Sequence, residues 1–381
     1  MSDSPNKGAS DAPIGSPTLT FRGGGWVIAL AAFLVVLVLV WSLLGVTLGR
    51  RPIGDGTNLE SYGFNLSNLT IDRTQLNGSG HPRGFLPSLD NPLHIFGRDM
   101  AIYNETNRPK YVVTTDRVAG IVVNGHAHAW PLTMLNVHEV VNDTVNGVAV
   151  VATYSPLCDC VIVFERRVEG TDRLFEVSGL LCDSNLVFYD KAANAAATAT
   201  HAPSLFLQLE RRAISGPLAT SSTQLVALPN VCITTWADWL ATHPDTTVSD
   251  RDAGMIRRMK EITYARYLIQ PQLESPTAPL PSEEELARDG VRLKSPMLAL
   301  WLGGKWSLLA VEDYLSAINS DRSVIVRVEG TELKLEIPNA PAVARISRVD
   351  GLPLLSVPCL YFAAKAILEP REPCVRVSNT P

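Results

Sequence analysis

Basic residues do not outnumber acidic ones in this chain. Lysine and arginine number 33 against 38 acids, interspersed along the sequence, for a net charge of −5. That balance offers no electrostatic footprint for nucleic acid, so no nucleic-acid partner is expected. Cysteine is scarce as well: six in 381 residues are too few for a disulfide scaffold. No glycine-rich phosphate loop follows a strand. The one Asn-Gly-Ser-Gly run, 77–80, lacks the lysine and hydroxyl residue that would follow. No Gly-x-Ser-x-Gly elbow is present either, which argues against an esterase of that type. His138-Glu139 begins a zinc-protease helix motif, but Asn142 stands where its second histidine belongs.

Apolar sequence, by contrast, is present in one long block. "WVIALAAFLVVLVLVWSLLGVTL" runs from Trp26 to Leu48 without a charge, long enough to cross a bilayer as a helix. It exceeds a signal-peptide core, and no small-x-small cleavage pattern precedes Arg50-Arg51, so an uncleaved single-pass anchor is expected. Lys7 and Arg22 on one side balance Arg50 and Arg51 on the other, leaving orientation undecided by charge. Residues 1–25 read as a disordered polar tail, and 49–90 as a linker.

From residue 91 the pattern is that of short strands. "YVVTTDRVAGIVVNGHAHAWPL" holds two β-rich runs around Asn124-Gly125, a strong hairpin signal. "GVAVVATY", "VIVFERRV", "RLFEVSGLL" and "NLVFYDK" continue the series, and "TTWADWLATHP" reads as a short helix stopped by Pro244. Residues 192–203 are low in complexity and predict a surface excursion. Residues 121–132 can be laid on 300–311, and 234–244 on 360–370, with a shorter gap between the pair in the second case. The expected fold class is α+β and β-rich: a transmembrane helix, then a mainly antiparallel β domain (91–250), a connecting segment (251–290) and a shortened, degenerate second copy (291–381).

The segments 129–168, 177–190, 204–219 and 234–246 together resemble a bacterial family, domain-of-unknown-function family 3179. Its members are mostly exported or membrane-anchored. The resemblance therefore implies a cell-membrane protein whose main domain lies outside the cytoplasm. The family's usual Tyr-Cys-Pro-Leu-Cys reads here as Tyr154-Ser155-Pro156-Leu157-Cys158, with Cys160 added two residues on. His138, Glu139, Asn142 and Asp143 match the family's His-Glu-x-x-Asn-Asp motif, and Asp183, Ser184 and Asn185 resemble its polar turn. The family carries no established reaction.

Candidate functional residues are thus His138, Glu139, Asn142, Asp143, Cys158, Cys160 and Asn185. On an extended strand Cys158 and Cys160 share one face but stand near the limit for a disulfide. Two thiolates suit Cu(I), and with the His138 imidazole they suit Zn(II). The alternative is that the cysteines are buried packing residues, or that Cys158 bridges Cys182. On a helix, His138 and Asn142 would share a face. His126 and His128, at i and i+2 on a strand, could pair as ligands or could line a solvated hairpin face. The expected function is an envelope metal-binding or redox protein; the alternative is a non-catalytic binding or scaffold module at the membrane surface.

Overall fold

The computed structural model describes residues 25–47, 52–192, 201–255, 263–339, 343–368 and 374. The reading of 1–25 as a tail, apart from Gly25, lies outside the described residues, as does most of the predicted 192–203 excursion. The chain divides into two units, with the boundary after Pro52.

Among its described residues the first unit contains one helix, Gly25–Thr47. Its 23 residues, at about 1.5 Å each, are long enough and apolar enough to cross a membrane. Its large side chains from Trp26 to Trp41 are exposed around the whole circumference, as lipid contact would require.

The second unit is β-rich, as expected. Asn124 and Gly125, both at positive φ (48° and 81°), close the hairpin between Arg117–Val123 and His126–Pro131. These two strands belong to a five-stranded sheet in the order Cys232–Thr235, Arg117–Val123, His126–Pro131, Thr247–Ser249, His94–Phe96. Thr247–Ser249 runs parallel to the second hairpin strand, with Thr247 beside His128. His94–Phe96 runs antiparallel to it, with His94 beside Ser249.

A four-stranded sheet, Leu89–Asp90, Val140–Val145, Val148–Ser155 and Cys160–Glu165, packs against this one. Alternation along Val148–Ser155 serves two cores at once. Val150, Ala152 and Tyr154 join Ile121 and Trp130 on one side. Val151 joins Phe164, Phe188 and Phe206 on the other. A sheet buried on both faces explains why its strands read as near-continuous valine runs. A third, five-stranded sheet completes that second core and includes Leu174–Cys182 and Asn185–Lys191.

Two local expectations are corrected. The helix Leu132–His138 ends at His138, and Glu139 takes a left-handed φ of 53°. Asn142 and Asp143 therefore lie on the Val140–Val145 strand, not on one helical face with His138. The β-branched residues of "VVNDTV" favour the pleated form. Adjacent strand residues face opposite ways, so Asn142 and Asp143 serve different sides of the sheet. Likewise Cys158 closes a 3-10 turn, Pro156–Cys158, Asp159 is left-handed, and only Cys160 opens the next strand.

Residues 53–90, read above as a linker, carry Tyr62, Leu76 and Leu86 into the larger core, and Leu76–Gly78 pairs with Leu174–Cys182. Their apolar positions lack a period because the elements are single turns and strands of two or three residues. In the C-terminal part, Leu355–Leu360, Pro296–Leu302 and Lys305–Ala310 form a sheet with the order and directions of Cys232–Thr235, Arg117–Val123 and His126–Pro131. Each first-named strand leads directly into a helix, Tyr361–Leu368 or Trp236–Thr242. A three-stranded meander, 323–348, follows as 140–165 does in the first part. We propose on this ground that 291–381 is a shortened copy lacking the third sheet.

Candidate functional site

The two packed sheets bring six polar side chains together around Asp143. Because strand side chains alternate, His126, His128 and Trp130 share one face of the hairpin strand, and Thr247 and Ser249 share the same face of its neighbour. Asp143 meets that face from the opposing sheet. Its Oδ1 accepts from the Thr144 backbone N–H at 2.7 Å and lies 2.8 Å from His94 Nε2. Its Oδ2 accepts from Trp130 Nε1 at 2.9 Å and from the Ser249 hydroxyl at 2.8 Å, and His128 Nε2 stands 3.4 Å away. His128 and Asp143 are buried, whereas His94 sits at the solvent edge.

Counting protons fixes the tautomers. Ser249 spends its hydrogen on Asp143, so its oxygen accepts from His128 Nε2–H at 2.8 Å. His128 Nδ1 then accepts from the Thr247 hydroxyl at 2.7 Å, and Thr247 in turn accepts from His126 Nε2–H at 3.0 Å. Burial disfavours charge on Asp143, but the neighbouring His128 and His94 outweigh it and hold the carboxyl well below its usual range. Burial pushes His128 down, which keeps it neutral. The result is an ionised carboxylate facing a neutral buried imidazole and a second imidazole open to solvent.

Among the described residues, His94, His128 and Asp143 form the one group of three or more such side chains whose ligand atoms all lie within 4.8 Å of one another. This group could hold a metal ion. The sequence pointed to Asp143 through the family motif and to His128 through the His-x-His spacing. It gave no sign of His94, Thr247 or Ser249, which reach the site on three-residue strands with no local motif.

The remaining candidates lie elsewhere. Asn142 points away from Asp143 and brackets Phe175, its Nδ2 donating to the Phe175 carbonyl at 2.8 Å and its Oδ1 accepting from the Phe175 N–H at 2.9 Å. Asn185 is buried between Gln208 and the Leu209 N–H. Both tie strands together. His138 is buried, with Nδ1 2.7 Å from the Pro87 carbonyl oxygen, and burial lowers its pKa. Cys158 and Cys160 are free thiols in the larger core. Burial pushes Cys158 up to about 12 and Cys160 well up, which disfavours the thiolates that exchange or metal binding requires. Cys158 Sγ donates instead to the Ser184 carbonyl at 3.3 Å. The structure does not gather Cys158, Cys160 and His138 into one ligand group. Glu139 lines a separate cavity with Ser155.

The molecule is thus a β-rich protein with an apolar N-terminal helix and a buried histidine–aspartate cluster. A family model described as "Protein of unknown function (DUF3179)" matches residues 84–313, and the chain belongs to that family. The match takes in His94, His128, Asp143 and Ser249. No curated protein and no solved structure matches the chain.

Proposed function

We propose that this is a single-pass membrane-anchored protein whose extracytoplasmic domain binds one divalent metal ion through His94, His128 and Asp143. The observation that carries the reading is the convergence of two imidazoles and a carboxylate, from three strands, within 4.8 Å. Nitrogen and oxygen donors suit Zn(II) and disfavour the Cu(I) that a thiolate pair would select. The surroundings favour ligation too. If His128 surrenders its Nε2 proton to bind metal, the ring becomes the Nδ1–H tautomer and donates to Thr247, which can then donate to His126. The hydrogen-bond chain reverses without moving a heavy atom, and Thr247 becomes the outer partner that orients the ligand.

A second reading is a non-catalytic module in which the cluster is a hydrogen-bond clamp between sheets. The favouring observation is that both His128 nitrogens and both Asp143 oxygens already have partners. Metal analysis of the detergent-solubilised full chain separates the two. Metal binding predicts about one Zn(II) retained per chain, restored after chelation and lost in His128→Ala. A chain that purifies metal-free and takes up no Zn(II), Fe(II) or Mn(II) sinks the metal reading and leaves the clamp.

A further inference from the structure

A second site, independent of the metal reading, lies under the family's Tyr-x-Pro-Leu-Cys turn. A cavity of about 550 Å³ opens there, bounded by the 78–86 loop, the Leu174–Cys182 strand, Ser155–Leu157, Glu139 and residues 264 and 274–276. Its size is that of a small-molecule pocket. It exists because the strand does not run straight. The pairing register shifts between Val177 and Leu180, so Ser178 and Gly179 bulge away from the neighbouring strand. Gly179 has φ +80°, and a Cβ there would strike the Tyr62 ring at 2.6 Å, so the wall is built around a glycine.

The walls are mainly apolar, with Leu86, Val177, Leu180 and Leu186 among them. The charge of the described lining is one-sided. Glu139 and Glu274 both line the space, and the described lining residues include no lysine or arginine. The Glu139 side chain has no hydrogen bond or ion pair to any described residue, and its backbone is held in the left-handed region. Burial alone pushes its carboxyl up to about 8. Tyr264 lines the same space: burial and then the charges of Glu139 and Glu274 push its phenol up. His81, stacked on Phe85 with ring centroids 4.0 Å apart, is exposed at the rim. A carboxylic acid with no partner among the described residues, facing a mainly apolar chamber beside a second acid, is complementary to an ammonium head on an apolar body.

We propose that this cavity binds a small amphiphilic amine, with its ammonium group on Glu139 and its apolar part among the leucines. Glu274 would add a second, more exposed carboxylate near the mouth. An aromatic body would also pack on the Phe85–His81 stack.

Calorimetric titration of the detergent-solubilised full chain at neutral pH tests this with three probes of similar size: 2-phenylethylammonium, 2-phenylethanol and 3-phenylpropanoate. The ammonium should bind at least about tenfold more tightly than the alcohol, and the carboxylate should not bind detectably. Glu139→Gln keeps the shape and removes the charge. It should weaken the amine about tenfold or more while leaving the alcohol unchanged, which also reports that the cavity is intact. His128→Ala, which removes a metal ligand, should leave amine binding in place, so the two readings fail separately. Equal or tighter binding of the carboxylate, binding of none of the three, or an amine affinity unchanged in Glu139→Gln would overturn the assignment.

Discussion

Asp143 carries more of the cluster than any other residue, because its carboxylate oxygens join the two sheets and its backbone carbonyl braces its own sheet. Arg166 donates to that carbonyl through Nε at 3.3 Å and Nη2 at 3.2 Å. Asp143→Ala should cost roughly 3–5 kcal/mol, since it strands buried donors, and denaturant unfolding would measure it. Its pKa is depressed on folding, so its contribution is full above the ordinary carboxylate range near 3.8 and disappears as pH falls below it. Thr247→Val isolates the outer partner. It removes a hydroxyl from His128 Nδ1 without touching the three proposed ligands, and Zn(II) affinity should fall about 10- to 100-fold. Glu139 has the opposite sign. Folding raises its pKa from 4.5 to about 8, so the native state holds the extra proton and stability declines as pH rises between those values. Glu139→Gln should flatten that decline and be the more stable form at pH 9, by roughly 1–3 kcal/mol given that solvent reaches the cavity. A parallel decline in both proteins would show that Glu139 does not set it. At this scale the sequence was half legible. The family motif flagged Asp143 and Glu139 and the His-x-His spacing flagged His128. Burial of His128 was hidden, because the covering strand, Thr247–Ser249, is far away in sequence and only three residues long.

Elements with a strong local code were readable. The Asn124-Gly125 hairpin and the helix that ends before Pro244 follow from turn chemistry and capping; Thr235 caps that helix by accepting from the Asp238 N–H at 3.1 Å. The His138–Asn142 helix was misread because the motif spacing suggested a helix while the β-branched residues around it dictated a strand. Packing between elements had no such local code. Gly120 lies in the hairpin under the 236–242 helix, where an added Cβ would come within 2.5 Å of the Trp239 ring. Trp239 Nε1 donates to the Thr246 hydroxyl at 2.8 Å, next to Thr247. Gly120→Ala should therefore cost about 1–3 kcal/mol by overpacking. It should also weaken the cluster by displacing Thr247, visible as lower Zn(II) affinity alongside a lower melting temperature. In the proposed second copy the matching position is Ala299 and Trp239 falls on Lys365, so the ring that forbids a Cβ is absent. His126, His128 and Trp130 fall there on Lys305, Ser307 and Leu309, which leaves the site chemistry to the first part.

For the whole molecule, the decisive contrast is between one helix with no buried face and a β-rich unit with several cores of its own. No described side chain of residues 25–42 belongs to those cores, whose described members begin at residue 59. Residues 52–381 alone should therefore stay in aqueous solution, show a strand-dominated circular dichroism spectrum and unfold cooperatively. Length and composition suit both a retained anchor and a signal sequence. They differ in what becomes of the first 51 residues. A retained anchor predicts that the protein isolated from membranes keeps the full 41.3 kDa mass and resists alkaline carbonate extraction. Replacing Leu37 and Leu39 by arginine should release it, because each buried charge costs about 2.5–3.5 kcal/mol at the centre of a membrane-spanning helix. A chain recovered without its apolar segment, and soluble in carbonate, would instead mean that the helix only directs export. The proposed metal and amine sites would then belong to a soluble protein.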